Sequence, residues 1–267
     1  MITMVKAAGI TLLAYFLVFG SAVAQNQLAV PLTHPGEPGI LEVELVNGSI
    51  YIESHQGDEV IVKIDGDGRK VTQQPTSGGM RKITGPSVGL EITEENNRVE
   101  VDTEMPGNRI TLNILVPRNF SIEASTVNQG DIGVKNIDGE LELSNVNGSI
   151  TAESIRGAVV ANTVNGDIRV QLKSVNENTP MAYSSLNGDI RVSMPENVAI
   201  TVMMKSFQGD IYTDFDMDLD VTEKTSERNR RGVYKVELNR SMRGKINGGG
   251  PEVSFKTHNG DIYIQKR

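Results

Sequence analysis

The sequence predicts an all-β, single-domain β-solenoid, and three observations predict it. Glycines recur nine residues apart at Gly130, Gly139, Gly148, Gly157 and Gly166. Apolar residues keep fixed offsets from them, two places before, two after and four after, as Val164, Ile168 and Val170 do around Gly166. Asn-Gly recurs at the corners, at Asn47-Gly48, Asn147-Gly148, Asn165-Gly166, Asn187-Gly188 and Asn259-Gly260. A fixed period marks a repeat. Alternation after each glycine marks a short strand with one buried side, and Asn-Gly turns a chain sharply at low strain. In an isolated hairpin Asn-Gly signals antiparallel strands; repeated at a fixed period it favours stacked corners, each strand pairing with its equivalent one turn on.

From the N-terminus, Met1 to Ala24 carries one early lysine, an apolar run from Ala7 to Gly20 and the small residues Ala22-Val23-Ala24 before Gln25. That is the pattern of a secretory signal peptide, and the run is shorter than the ~20 residues a membrane-spanning helix needs. Residues 25–267 then form the expected domain. The repeat phase begins at Gly39, Gly48 and Gly57, with Leu41, Val43, Val46, Ile50 and Ile52 between them. It fades over residues 65–97, where Pro75 to Gly79 and Gly85 to Gly89 read as exposed loops. Alternation resumes at Val99-Val101 and from Ile110 to Val116. Past Gly166 the glycines spread to Gly188 and Gly209, each interval holding two alternating segments, so each coil is expected to hold about two main strands. Glu177-Asn178-Thr179-Pro180 and Met194-Pro195-Glu196-Asn197 are expected loops, because proline cannot donate to a strand ladder.

Composition narrows the functional classes. The chain has no cysteine, which rules out disulfides and a lipid-modified cysteine, and its net charge of -8 argues against nucleic acid and against adsorption to anionic lipid. A cysteine-free exported chain of this size fits a bacterial envelope. No segment after the leader is long and apolar enough to cross a bilayer as a helix, and the last repeat runs directly into Gln265-Lys266-Arg267 without an evident anchor.

Four sets of residues could carry chemistry. Asp131, Asp167, Asp189, Asp210 and Asp261 each follow a corner glycine, and stacking could align them into a row able to hold calcium or serve a glycosidase. The alternative is a solvated corner whose carboxylates accept backbone amides, and Ser149, standing where these acids do, favours it. Asp214, Asp216, Asp218 and Asp220 alternate with Phe215, Met217, Leu219 and Val221; on one strand they would share a face, as a cation site or as a charged edge that deters pairing. The basic run Lys224 to Arg231 could supply counter-charge. Asp65-Gly66-Asp67-Gly68 is too short for an EF-hand loop, and one glycine per unit is too few for the calcium-binding nonapeptide roll. His55 and His258 both stand two residues before a corner glycine, near opposite ends of the repeat, and read as structural. No Ser/His/Asp set falls in a recognisable arrangement, so no catalytic, cofactor-binding or metal residues are expected, and no enzyme.

Thr163-Val164-Asn165-Gly166-Asp167-Ile168, Leu186-Asn187-Gly188-Asp189-Ile190 and Thr257-His258-Asn259-Gly260-Asp261-Ile262-Tyr263-Ile264 resemble the bacterial "putative adhesin" β-strand-repeat family, related to autotransporter adhesin head domains. The match extends to Gly209-Asp210-Ile211-Tyr212 and to Gly248-Gly249-Gly250-Pro251, and runs from about Ile40 onward. The resemblance implies an exported, envelope-linked β-solenoid and brings no catalytic residues. The expected function is a non-catalytic structural or binding module of the envelope with an envelope or cell-surface partner, periplasmic or surface-exposed, contacting it through flat strand faces or the loops near Pro75, Asn178 and Asp214 to Gly232. A periplasmic sensor or scaffold is the alternative, and a β-helical polysaccharide-processing enzyme using Asp residues the remoter one.

Overall fold

Alternating apolar and polar residues fold this chain into strands because a strand puts successive side chains on opposite faces, and one face here is covered. The structure, a computed structural model, describes residues 27–66, 72–75, 81–84, 90–103, 109–175, 179–230 and 233–267. The expected leader and the loops at 76–79, 85–89 and 177–178 lie outside the described residues. Within them every regular element is a strand, and no helix is long and apolar enough to cross a membrane.

In chain order the strands are β1 (Gln27–Pro31), β2 (Gly39–His55), β3 (Glu59–Gly66), β4 (Thr72–Pro75), β5 (Arg81–Thr84), β6 (Leu90–Glu95), β7 (Arg98–Thr103), β8 (Ile110–Pro117), β9 (Phe120–Asn128), β10 (Ile132–Lys135) and β11 (Leu141–Asn147). They continue as β12 (Ile150–Arg156), β13 (Val159–Asn165), β14 (Ile168–Ser174), β15 (Met181–Asn187), β16 (Ile190–Met194), β17 (Ile200–Gln208), β18 (Ile211–Thr213), β19 (Met217–Arg230), β20 (Val233–Ile246), β21 (Glu252–Asn259) and β22 (Ile262–Lys266). Proline ends β16 as expected: Pro195 opens a turn closed by Val198 N–H on its carbonyl at 3.1 Å. β4 and β5 form a separate antiparallel hairpin inside the region where the repeat fades.

All other strands belong to two parallel-cored stacks. The first runs β6, β7, β2, β9, β11, β13, β15, β21, β17, β20, β19. The second runs β1, β3, β8, β2, β10, β12, β14, β16, β22, β18. β2 belongs to both, its residues 39–47 in the first and 48–55 in the second. Antiparallel strands cover the ends: β3 and β1 close one end of the second stack, β6 closes the same end of the first, and the β19–β20 hairpin closes the far end of the first. The β6–β7 turn places Asn96 and Asn97 at φ 53° and 62°, the backbone that suits a two-residue hairpin. Asn97 is buried there because its side chain bonds both the amide and the carbonyl of His34.

From β9 to β16 each strand pairs with its equivalent one turn on, as expected, but the first and last repeats depart from that order. β2, first of the repeating strands, lies between β7 and β9 in one stack and between β8 and β10 in the other. The last repeat is likewise inserted, β21 between β15 and β17 and β22 between β16 and β18. The reason lies in the caps. β17 must present one side to the antiparallel β20, and Gly248-Gly249-Gly250 then returns the chain to the slot left on its other side.

The core is a set of aliphatic columns between the stacks. Leu112, Ile50, Ile132, Ile150, Ile168, Ile190 and Ile262 succeed one another rung by rung and are buried throughout. Facing residues trade size: Ala124 and Ala161 share a column with Val43 and Leu143, and the column then enlarges to Tyr183 and Phe255, whose rings stack at 5.2 Å. Burial pushes the Tyr183 phenol pKa up; its hydroxyl donates only to Met181 Sδ at 3.6 Å.

Candidate functional site

The corner acids line up as expected, but not as a free row. The Asp131 amide donates to Ser49 Oγ and the Ser149 amide to Asp131 Oδ1. The Asp167 amide donates to Ser149 Oγ, the Asp189 amide to Asp167 Oδ1, the Asp261 amide to Asp189 Oδ1 and the Asp210 amide to Asp261 Oδ1, at 2.8 to 3.3 Å. One oxygen of each of Ser49, Asp131, Ser149, Asp167, Asp189 and Asp261 thus receives the amide of the next rung, and Asp210 ends the row. Ser149 can stand in for Asp because its hydroxyl also accepts that amide, at a longer 3.3 Å.

At Asp167, Asp189, Asp210 and Asp261 the second carboxylate oxygen is used by the residue two places on. Arg169 and Arg191 donate to Asp167 and Asp189 at 2.6 and 2.8 Å, and the Tyr263 hydroxyl donates to Asp261 at 3.0 Å. Tyr212, Tyr263, Arg191 and Arg169 therefore form an outward column, with the Tyr212 and Tyr263 rings stacked at 4.9 Å and the Arg191 guanidinium 4.4 Å over Tyr263. The Asp210 amide, then the Tyr263 hydroxyl and the charge of Arg191, hold the Asp261 carboxyl below its ordinary value. A depressed carboxylate adds stability above its unfolded pKa of ~3.9 and loses it as pH falls through the lower folded value. Asp261→Asn keeps the acceptor and removes the charge, so it should melt below the wild type at pH 7. That gap should close as the buffer is taken below about pH 4, which a pH series of thermal melts of both proteins reads; a constant gap would mean that the charge is not what stabilises.

Behind each corner a small polar side chain closes the turn. Thr126, Thr163, Ser185, Thr257 and Ser206 donate hydroxyls to Gly48, Gly148, Gly166, Gly188 and Gly260 carbonyls, at 2.9 to 3.0 Å. Asn145 does the same for Gly130 through Nδ2 at 2.8 Å, but its Oδ1 is buried without a partner. A buried orphan acceptor costs about 1–3 kcal/mol. Asn145→Thr supplies the hydroxyl used on the other rungs and removes the orphan, so thermal unfolding should show a gain of about 1 kcal/mol; a loss would mean that Asn145 Oδ1 is satisfied. Outside the corner an amide ladder runs in parallel, with Asn165, Asn187 and Asn259 each donating Nδ2 to the Oδ1 of the asparagine one rung back, at 2.6 to 2.9 Å.

The other expected residues separate. Asp214 and Asp216 precede β19, and only Asp218 and Asp220 lie on it among the four acids, so they do not share one strand face; the chain bends at Phe215, which is buried. Asp214 Oδ1 accepts the Lys266 amide at 2.7 Å and so ties β22 down. The basic run from Lys224 falls where side chains are not described. His55 ends β2, its Nε2 2.8 Å from the Glu59 carbonyl and its Nδ1 accepting the Gly57 amide at 3.3 Å. His258 lies on β21 with its ring 5.0 Å from that of Phe207. Asp65 accepts Asn113 Nδ2 at 2.9 Å, whereas Asp67 is outside the described residues. A cavity of about 530 Å³ opens between Lys173, Pro195, Asn197, Val198 and Gly250, and no carboxylate lines it.

The sequence reading missed where the residue before each corner points. At the Asn-Gly corners the two offsets that follow the glycine are buried and the preceding one faces out, as do Phe207 before Gly209 and Val127, three places before Gly130. Val46, Val127, Val146, Val164, Leu186, His258 and Phe207 succeed one another across the first stack, with Val127 36% or more exposed like Val46, Val164, Leu186 and Phe207. The signal was available: Val164 precedes Asn165 on a strand whose inward residues are Val159, Ala161 and Thr163.

A family model described as Toastrack DUF4097 matches residues 118–265. No curated protein matches the chain. Among solved structures it is similar to a "putative cell adhesion protein" of Clostridium sporogenes, at a TM-score of 0.50 and 12% identity over 90% of this chain and 99% of that one. It is also similar to a "putative adhesin" of Bacteroides fragilis, at a TM-score of 0.42 and 13% identity over 90% and 96% of the two chains. At 12% identity the likeness is one of fold.

Proposed function

The chain belongs to the Toastrack DUF4097 family, a domain of unknown function, and from that premise we propose a non-catalytic, exported binding module of the cell envelope, adhesin-like in kind. Residues 25–267 act as one β-solenoid of two main strands per coil, turning at the Asn-Gly corners, behind a leader at residues 1–24. The observation that carries the reading is the use of the corner acids. Asp131, Asp167, Asp189 and Asp261 each spend an oxygen on the amide of the next rung, and most of their second oxygens go to Arg169, Arg191 or Tyr263. A catalytic carboxylate must turn toward its substrate; these carboxylates are instead oriented along the stack, holding one coil to the next. Regular side-chain columns on the outer faces suit recognition of an envelope or cell-surface component instead.

The test is protease treatment of intact cells making the native protein, beside the same cells with the outer envelope permeabilised. Digestion in either sample, with a cytoplasmic control protein spared, supports an exported module, and digestion before permeabilisation supports surface display. Protection in both samples, with the protein recovered in the cytoplasmic fraction, overturns it.

A further inference from the structure

The outer face of the first stack is polarised along its length. At one end Asp102 and Glu44 occupy neighbouring rungs of one column, and Glu100, Glu42, Glu123 and Glu142 occupy four successive rungs of the next. Arg98 is the cation among them: it pairs with Glu42, and reaches Glu100 at 3.2 Å and Glu123 at 3.4 Å. Among the described residues no ion pair engages Asp102, Glu44 or Glu142. At the other end, in the column of Asp102 and Glu44, stand Lys256 on β21 and Lys205 on β17. Between these ends the same column is neutral and polar: Ser125, Ser144, Asn162 and Ser184. The exposed apolar column from Val46 to Phe207 runs alongside it, two residues away on every strand.

We propose that this face docks on the same face of a second copy of the chain, related by a two-fold axis that lies along the strand direction between β11 and β13. Such an axis reverses the order of rungs and leaves each column opposite itself, which is the isologous arrangement of two-fold dimers. β7 then faces β17, β2 faces β21, β9 faces β15 and β11 faces β13. Asp102 meets Lys205 and Glu44 meets Lys256, twice over by symmetry. Ser125 meets Ser184 and Ser144 meets Asn162, so the polar centre faces a polar centre. In the apolar column Val146 meets Val164, Val127 meets Leu186 and Val46 meets His258. Parallel stacking of two like-oriented copies would instead oppose acid to acid and lysine to lysine, which costs free energy; the charge pattern therefore selects the antiparallel copy.

The size suits a weak, reversible dimer. Eight strands ~4.8 Å apart and the two matched outward columns ~6.8 Å apart give roughly 500 Å² per copy, at the low end of specific interfaces. The partly exposed side chains of Val46, Val127, Val164, Leu186 and Phe207 along this face would gain cover from the same column of the second copy.

Sedimentation equilibrium of the purified chain tests the proposal. The wild type should dimerise, and dissociate more readily as salt is raised. K205E/K256E and E44K/D102K, all outward residues, should each weaken dimerisation at least tenfold with unchanged melting. An equimolar mixture of the two variants should restore the dimer, because each then offers the charge its partner lacks. A wild-type monomer, or a dimer that survives both variants, overturns the proposal, as does a mixture that stays monomeric. Should either charge variant lose its fold, Val146→Lys and Val164→Lys at the axis make the same test, and a dimer surviving those overturns it equally.

Discussion

Ile168→Asp is expected to destroy cooperative unfolding of the neighbouring rungs. Ile168 is fully buried, with Ile150 on one side and Ile190 on the other in the second stack. Truncating such a side chain alone costs about 2–5 kcal/mol, and a carboxyl placed there finds no donor in an aliphatic column, adding a further desolvation cost of about 1–3 kcal/mol. A loss of about 4 kcal/mol or more is a large share of the 5–15 kcal/mol that holds a domain together. Because each rung supports the next, the damage should spread to β12 and β16. Ile168→Val should cost only about 0.5–1.5 kcal/mol, and Asn162→Asp, on an outward position of β13, should stay within about 0.5 kcal/mol. Denaturant melts of the three proteins give the ranking. Unchanged cooperative melting of Ile168→Asp would show that this column is not the core.

Gly130→Ala should be nearly as damaging, for a backbone reason. A Cβ at Gly130 would lie 1.6 Å from the Gly48 carbonyl oxygen and 2.1 Å from its carbon, so the corner of β9 and β10 could not stay stacked on that of β2. Neither atom can yield without moving its rung, and overpacking of this kind costs about 3 kcal/mol. The same contact recurs rung by rung: Gly148 meets the Gly130 carbonyl, Gly166 that of Gly148, Gly188 that of Gly166 and Gly260 that of Gly188. Gly133→Ala is the control. There a Cβ would meet the Tyr51 ring edge at 2.7 Å, on an exposed side chain that can swing aside. Its melting temperature should barely move, while that of Gly130→Ala should fall by several degrees. Equal effects would refute the backbone-contact account.

These contacts explain why the period was legible and its cause was not. Glycine was expected at the corners for its left-handed backbone, and Gly188 and Gly260 do have φ of 156° and 155°. Gly130, Gly148 and Gly166 lack positive φ and are glycine because two backbones approach too closely for a Cβ. Turn preference belongs to one chain segment and can be read from it; a contact between residues many positions apart in sequence cannot. The candidate acids divide the same way. Ser149 standing among the corner aspartates pointed to an amide-accepting ladder, which is what the side chains form. The pattern from Asp214 to Asp220 suggested one strand face, but Phe215 turns inward to cover the end of the core, and that break was set by packing beyond the segment.

By itself the sequence determined that the described residues form strands, where the Asn-Gly corners fall and which residues after those corners are buried, because period and alternation are local and repeat many times. Only the tertiary structure decided the order of the rungs and the role of the residue before each corner. Equivalent rungs present nearly the same isoleucine, valine, asparagine and aspartate columns, so any of them could pair with any other at similar free energy. What selects the neighbours is the geometry of the ends: antiparallel strands occupy one side of β7, β8 and β17, and the first and last repeats fill the slots those strands leave open.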